Sequence, residues 1–477
     1  MRLKALLPLL LAAWAVPGLA ASAGTDAQLQ ALDARVRALE AESQKLREQA
    51  AAAVASADAA RAELDKLKAA QPATGTALPN AVSAAAPPSP PANAAVTAVQ
   101  AAPGASSGSN PNAFNPAISV ILNGLYAHHS MNPDSYLRAG FPIVDGAGPG
   151  LQGLSLGESE ISFAANIDDK FYGQFTLSYE DENGHVSTDL EEAYIDTLAL
   201  PEGFSIRAGR FFSNIGYLNS HHAHTDNFVD RPLAYQAFLG DQYGDDGAQL
   251  RWVAPLDFFL ELGGEIFRGE NFPAAGAQHS GAGAHTLFAH AGGDVGTDSS
   301  WLAGVSMLQA RSAGADDGFS GNERLYLADA TWKWAPNGNT KDGGLTLRSE
   351  YFVDHRNGTL TAPVLAPVSD AALDLTNPLL DAPWTGDRRG VYLESVYRLS
   401  RSWDVGYRFD KLWANAGDPY ATGFDPVRHS VELTWRNSEF SFFRLQYSHD
   451  EPFRGLTDNV FYLQYDVSLG AHGAHKF

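Results

Sequence analysis

The chain of 477 residues contains no cysteine. It therefore forms no disulfide, and thiolate nucleophiles and cysteine-ligated metal centres are excluded. Beyond the amino terminus it also lacks any run of 18 or more apolar residues, so no transmembrane helix is expected. The mean hydropathy is only -0.19. If the chain crosses a membrane, its apolar residues must therefore be spread over alternate positions of strands.

Basic residues are scarce relative to acidic ones. Lys and Arg number 33 and Asp and Glu number 55, for a net charge of -22. The excess lies in residues 116–477, where acids outnumber bases by 23. Such a charge repels nucleic acid, so no nucleic-acid partner is expected, and it raises the local concentration of cations. The alternative is that acidic loops merely keep the protein soluble.

The last segment alternates between apolar and polar side chains. In FYLQYDVSL (461–469), Phe461, Leu463 and Tyr465 share one parity, whereas Gln464 and Asp466 share the other. A strand places alternate side chains on opposite faces, so one face suits lipid and the other suits water. The chain ends on Phe477, as outer-membrane barrels do, and this residue is the expected membrane-assembly signal for the barrel-assembly machinery. The 51 aromatic residues suffice for two interfacial girdles.

Three segments precede the alternating region. Residues 1–23 carry Arg2, Lys4, an apolar run and small residues, which predicts a secretory signal peptide, with a retained anchor as the alternative. Residues 24–70 carry a heptad repeat from Leu29 to Leu67, which predicts a coiled-coil helix, or else a lone amphipathic helix. Residues 71–115 are an uncharged Pro, Ala and Ser linker.

The remainder, 116–477, predicts an all-β transmembrane barrel of about sixteen antiparallel strands. Short turns such as 166–169, 200–203, 254–257, 400–402 and 437–439 alternate with long connections at 130–152, 213–244, 356–388 and 414–426. Short periplasmic turns and long external loops are typical of outer-membrane barrels, and an even strand count returns both ends to the periplasm. The predicted strands are 117–129, 153–166, 170–181, 189–199, 203–212, 245–254, 257–268, 284–292, 300–311, 323–335, 344–355, 389–400, 402–413, 427–437, 440–450 and 459–471.

Two stretches resemble a known family. Residues 209–252 (GRFFSNIGYLNSHHAHTDNFVDRPLAYQAFLGDQYGDDGAQLRW) and 468–477 (SLGAHGAHKF) are similar to proteobacterial outer-membrane proteins often labelled zinc-regulated outer-membrane, or TonB-dependent, receptors. These proteins are similar in layout to phosphate-selective porins. The resemblance implies a bacterial outer-membrane, porin-like barrel with the amino-terminal coiled coil in the periplasm. By analogy with porins, the coiled coil is expected to join a homotrimer.

The connection after the fifth strand contains the clearest candidate site. In sixteen-stranded porins this loop folds inward and narrows the pore. Here it carries His221, His222, His224 and Asp226, and imidazole with carboxylate suits zinc. Zinc is thus the one candidate cofactor, and the alternative is that these side chains only hydrogen-bond the loop to the wall. The adjacent Asp230 and Arg231 are predicted to form an anchoring ion pair.

Charged residues on the last strands are expected to face the lumen. They alternate with apolar residues, and a charge facing lipid would cost about 2–4 kcal/mol at the midplane. A wall of both signs hydrates a diffusion channel, although a lumen plugged by salt bridges is the alternative. The predicted pore-lining residues are Arg348, Glu350, Glu394, Arg398, Arg408, Asp410, Glu432, Arg436 and Arg444.

No enzymatic activity is expected. Ser220 lies beside His221 and His222, which would offer a nucleophile and a base. Adjacent residues in a loop rarely form a catalytic triad, however, and the sequence contains no nucleophile-elbow motif. Three functions follow: a passive channel for small hydrophilic solutes or ions, a zinc-binding or zinc-uptake protein, and a tether between the outer membrane and the cell wall.

Overall fold

The computed structural model describes residues 116–144, 146–182, 185–274, 281–313, 318–363, 379–415 and 423–470. The predicted signal peptide, coiled coil and linker, together with Phe477, lie outside the described residues. The strands carry alternating buried and exposed side chains, as in Val427–Ser438, where Leu433 is exposed between the buried Glu432 and Thr434. This alternation makes a sheet with two different faces.

Within the described residues, sixteen strands form the barrel wall. The second crossing consists of two segments, interrupted at Gly157 and Glu158, that both pair with the first strand. The strands are β1 (Ala117–His129), β2 (Gly153–Leu156 with Ser159–Asn166), β3 (Phe171–Glu182), β4 (His185–Thr197), β5 (Phe204–Phe212), β6 (Gly244–Val253), β7 (Phe259–Phe267), β8 (Ala284–Val295), β9 (Ser299–Ala313), β10 (Phe319–Trp334), β11 (Gly344–Pro363), β12 (Leu379–Ser400), β13 (Trp403–Ala414), β14 (Val427–Ser438), β15 (Ser441–Phe453) and β16 (Leu456–Gly470).

The sheet closes on itself. Each strand pairs antiparallel with the next, and β16 pairs with β1 from Ser119 opposite Gly470 to His129 opposite Val460. Closure leaves no open edge in the sheet of described strands, which is what a strand-built membrane protein requires. The prediction of a sixteen-stranded antiparallel barrel is confirmed.

The outer face is apolar and aromatic. Trp403, Trp435, Phe443 and Tyr465 are cross-strand neighbours on β13 to β16, with ring centroids 6.3, 5.9 and 4.2 Å apart along the series. They lie towards the ends of the strands that short turns join, and all four side chains are exposed. They form part of an aromatic girdle at a membrane interface.

One predicted connection is wrong. The sequence placed a long loop at 356–388, but β11 continues to Pro363 and β12 begins at Leu379. Their ladder runs from Gly344 opposite Arg398 to Pro363 opposite Leu379. The residues Asn357, Gly358 and Pro383 suggest turns, yet hairpin pairing overrides their low strand propensity.

Two long connections fold back onto the barrel interior. Connection 130–152 contains a 3₁₀ turn, Pro133–Ser135, and buries Phe141 and Val144. Connection 213–243 contains the 3₁₀ turns Leu218–Ser220 and Ala223–Thr225 and the helix α1, Leu233–Leu239.

Helix α1 is buried at every position. It ends at Gly240, which adopts the left-handed conformation that terminates helices. No described helix is both long and apolar enough to span a membrane.

The substitution Leu433→Arg tests the outer face. Leu433 lies midway along β14 with its side chain exposed, so an arginine there should lower the free energy of unfolding by about 2–4 kcal/mol. Equilibrium unfolding in lipid vesicles measures the change. The control is Glu439→Arg in the turn after β14, which should have little effect because that position is exposed beyond the strand end. Equal losses for both variants would contradict a lipid-facing β14.

Candidate functional site

The loop 213–243 lies inside the barrel, as predicted. Its residues hydrogen-bond to side chains on strands around the lumen: to Glu261 and Glu265 on β7, Ser306 on β9, Glu350 on β11, Glu394 on β12, Asp410 on β13, Gln446 on β15, and Glu160, Glu191 and Glu192 on β2 and β4. A loop held on so many sides crosses the lumen and does not merely lie along one wall.

Glu350 is the main anchor of the first half of the loop. Its fully buried carboxylate accepts hydrogen bonds from the backbone N–H groups of Tyr217 (3.0 Å) and Leu218 (3.1 Å). It also accepts from the hydroxyls of Tyr235 (2.9 Å) and Tyr392 (2.7 Å). These donors replace the water that a buried carboxylate would otherwise need.

The approach to Glu350 requires a glycine. Gly216 has φ of +62°, a conformation that L side chains rarely adopt. A Cβ atom at this position would also collide with Oε2 of Glu350 and crowd the hydroxyl of Tyr235. The sequence NIGYL (214–218) therefore brings two backbone donors onto one wall carboxylate.

The second half of the loop is held by ion pairs. Asp230 contacts the guanidinium groups of Arg428 (2.7 Å) and Arg408 (3.1 Å), and its Oδ1 accepts from Gln446 (2.7 Å). Arg408 also donates to the backbone carbonyl of Asp230 at 2.7 Å. Side chains of the wall therefore bind both the side chain and the backbone of Asp230.

The amino-terminal end of helix α1 donates a hydrogen bond to a carboxylate on the wall. The backbone N–H of Leu233, the first residue of the helix, donates to Oδ1 of Asp410 at 3.0 Å. The first N–H groups of a helix have no partner within it, and a carboxylate at this end is favoured by the helix dipole. On the other side, Phe238 stacks on Phe352 (centroids 5.8 Å apart) and meets Phe141 edge-on at 5.7 Å.

The nine predicted pore-lining residues lie on the inner face of the wall. Seven have less than a tenth of their surface exposed: Arg348, Glu350, Glu394, Arg408, Asp410, Glu432 and Arg444. Arg398 and Arg436 are more open, and both pair with Asp404, at 2.9 and 2.7 Å. The sequence left a lumen filled by salt bridges as an alternative. Salt bridges are present where the loop meets the wall, as between Arg348 and Glu394 at 3.2 Å.

The four predicted zinc ligands do not converge. His222 and His224 lie together, with ring centroids 5.7 Å apart. His221 turns away: its Nδ1 contacts the carbonyl of Tyr217 at 2.7 Å, and its ring stacks on that tyrosine. Asp226 pairs with Arg231 at 2.7 Å. The structure therefore brings together two of the four residues.

The predicted ion pair between Asp230 and Arg231 is wrong. Asp230 pairs with Arg408 and Arg428 on the wall, whereas Arg231 pairs with Asp226 within the loop. Adjacency in sequence did not bring these two side chains together.

The wall supplies the partners of the two converging histidines. His222 Nδ1 lies 3.1 Å from Oε1 of Glu160 and 3.2 Å from Oε2 of Glu191, and its Nε2 lies 3.1 Å from Oε2 of Glu192. His224 Nδ1 lies 2.8 Å from the same oxygen of Glu160. Sequence reasoning placed these glutamates in strands without assigning them to a site. The doublet Glu191–Glu192 inside a predicted strand was the available signal.

The carboxylates determine the charge of His222. Burial lowers the pKa of His222, but the neighbouring carboxylates, Glu160 foremost, raise it more, so the pKa lies well above its ordinary value. Burial raises the pKa of Asp230, but the guanidinium groups of Arg428 and Arg408 lower it by more than burial raises it. The pKa of Asp230 therefore lies below its ordinary value. The loop is therefore held by charged groups at neutral pH.

No family model matches the chain. An uncharacterized protein of Aquifex aeolicus is 28% identical over 397 residues, covering 76% of this chain and 80% of that protein. Similar solved structures are outer-membrane porins and channels. The channel DcaP of Acinetobacter baumannii is 14% identical with a TM-score of 0.48, and covers 74% of this chain and 97% of its own. The anion-selective porin of Comamonas acidovorans is 10% identical with a TM-score of 0.46, covering 74% and 99%.

The trimer form of OmpT, an outer-membrane protein of Vibrio cholerae, is 11% identical with a TM-score of 0.45, covering 74% and 99%. At these identities and scores the likeness adds nothing to the barrel seen in the strand pairing itself. The narrower resemblance to zinc-regulated receptors finds no support in these comparisons.

The substitution Glu350→Ala tests the anchor. It leaves the buried N–H groups of Tyr217 and Leu218 without their acceptor, at about 1–3 kcal/mol for each unsatisfied group. We expect a clear loss in the free energy of unfolding and faster proteolysis within 213–243. The control Glu439→Ala, at an exposed turn, should change neither. A loop as protected in Glu350→Ala as in the wild type would contradict the assignment.

The pairing of Asp230 predicts a pH dependence. Because its pKa is lowered on folding, its stabilisation is present above the ordinary value of about 3.9 and is lost as pH falls through the lower folded value. Asp230→Asn should cost about 3–5 kcal/mol, the range for removing one partner of a buried pair, and the cost should stay constant from pH 7 to pH 5. Unfolding at several pH values measures this.

The control for Asp230 is Asp425→Asn. Asp425 faces Lys411 at 3.6 Å in a largely open pair, which is worth about 0–1 kcal/mol. A cost for Asp230→Asn that falls steadily between pH 7 and pH 5 would contradict a lowered pKa.

Proposed function

We propose that the protein is an outer-membrane, porin-like channel for passive passage of small hydrophilic solutes or ions. The observation that carries the proposal is the loop 213–243, which enters a closed barrel and is fixed to charged side chains on several walls. A barrel with an apolar outer face belongs in a lipid bilayer, and a charged inner face holds water. A fixed loop in such a lumen sets the size of what passes.

The charge of the barrel favours cations. Residues 116–477 carry 23 more acids than bases, and many wall arginines are already paired with carboxylates. The potential left over is negative, which raises the local concentration of cations and lowers that of anions. The phosphate preference of the similar porins is not expected here, since the sequence shows no continuous ladder of lysine or arginine.

A metal-binding role is the second candidate, and the contact of His222 and His224 with Glu160 favours it. Assembly as a homotrimer through residues 24–70, and a role of that segment as a periplasmic tether to the cell wall, are further proposals that rest on the heptad repeat alone.

Conductance in a planar lipid bilayer tests the channel. The wild type should give discrete open steps, and a salt gradient should give a reversal potential of the sign for cation preference. Glu350→Ala should give larger or noisier steps because the loop loses its anchor, whereas Glu439→Ala should behave like the wild type. A correctly folded wild type that never opens, or that prefers anions, would refute the proposal.

A further inference from the structure

A compact group of ligating atoms lies where the loop meets β2 and β4. Glu158, Glu160, Glu191 and His222 each offer one oxygen or nitrogen atom, and these atoms all lie within 4.8 Å of one another. Three side chains come from the barrel wall and one from the loop. Atoms at this spacing can contact one common ion, since ligand–metal distances of about 2.0–2.2 Å place ligands within such a range.

Two strand irregularities produce the group. In β4, Thr176 pairs with Glu192 and Leu177 with Leu190, so Glu191 is an extra residue and both glutamates reach His222. In β2, the three residues 157–159 between the two paired segments face only two residues, 122–123, on β1. Bulges re-aim side chains and are common beside functional sites. Here they add inward carboxylates that simple alternation would not provide.

The group is rich in carboxylates. The carboxylates of Glu158, Glu160, Glu191 and Glu192 outnumber the imidazoles of His222 and His224. Oε1 of Glu158 is buried and, among the described residues, has no hydrogen-bond partner. A buried carboxylate oxygen that has no hydrogen-bond partner and lies next to like charges is costly, and a bound cation would relieve that cost.

We propose that Glu158, Glu160, Glu191 and His222 bind a divalent first-row transition cation, which holds the loop 213–243 against the wall. The cation takes the place of the proton on His222, which is released to solvent on binding. An imidazole among the ligands favours this class over Mg²⁺ and Ca²⁺, which prefer all-oxygen sites. His224 lies beside the ion through its contact with Glu160, where it orients that carboxylate. The site differs from the set predicted from sequence, of which it retains only His222.

Zinc calorimetry on the full-length protein, purified in detergent without a polyhistidine tag, tests the proposal. One Zn²⁺ should bind per chain at this site, and excess Mg²⁺ should not displace it. Glu158→Gln keeps the size of the side chain and removes its charge, and Oε1 of Glu158 has no hydrogen-bond partner among the described residues. It should weaken zinc binding at least about tenfold, the loss that follows removal of even an outer-shell partner. His222→Ala should abolish this binding.

The control is His355→Ala. His355 contacts Asp387 at 2.7 Å in an open histidine–carboxylate pair of the kind that holds adventitious zinc. This variant should bind zinc at the proposed site as the wild type does. Heat-dependent mobility on gels shows whether each variant retains a folded barrel, so that lost binding in a folded Glu158→Gln protein is interpretable.

Absence of binding, or equal binding by the wild type and both site variants, would overturn the proposal. Loss of binding only in His355→Ala would show an adventitious ion. None of these outcomes depends on conductance, so the proposed metal site and the proposed channel are tested independently.

Discussion

Satisfying the buried polar groups of one loop is the constraint on which the interior of this barrel depends. Residues 213–243 enter a space enclosed by strands, where water cannot solvate every backbone N–H. Carboxylates on the wall accept hydrogen bonds from these groups. Glu350 accepts from the backbone N–H groups of Tyr217 and Leu218, and Asp410 accepts from the first backbone N–H of α1. Each of these carboxylates is itself fully buried, so loop and wall satisfy one another.

In the proposed channel, the same arrangement would link stability with the passage of solutes. The contacts that hold the loop also neutralise charged side chains of the wall that a solute would otherwise meet. Asp230, for example, forms ion pairs with Arg408 and Arg428. What remains available to a passing ion is the excess of acid. In the proposed channel, the side chains that fix the position of the loop would therefore also set the ion selectivity.

Most of the fold could be predicted from the sequence because alternation is a local signal. The first strand, Ala117–His129, matches its predicted bounds, and the strand number follows from turns and loops alone. The hairpin of β11 and β12 could not be predicted in full, since Gly358 and Pro383 signal turns locally while pairing across the hairpin decides their conformation.

The candidate site was less accessible to sequence. His222 could be singled out, but its partners lie in strands far along the chain, and two of them, Glu158 and Glu191, occupy irregular positions where parity fails. Asp226 was chosen for its closeness to the histidines in sequence, yet it contacts Arg231. Non-local contacts of this kind require the register of the strands, which one sequence does not supply.

The hairpin of β11 and β12 gives one end of the barrel an uneven outline. Its strands have 20 and 22 residues, whereas about 10 suffice to cross a bilayer. At about 3.3 Å per residue, the surplus extends roughly 30 Å along the strand direction. In an outer membrane this hairpin would rise beyond the lipid headgroups, so an approaching antibody or phage would touch it well before reaching the channel entrance.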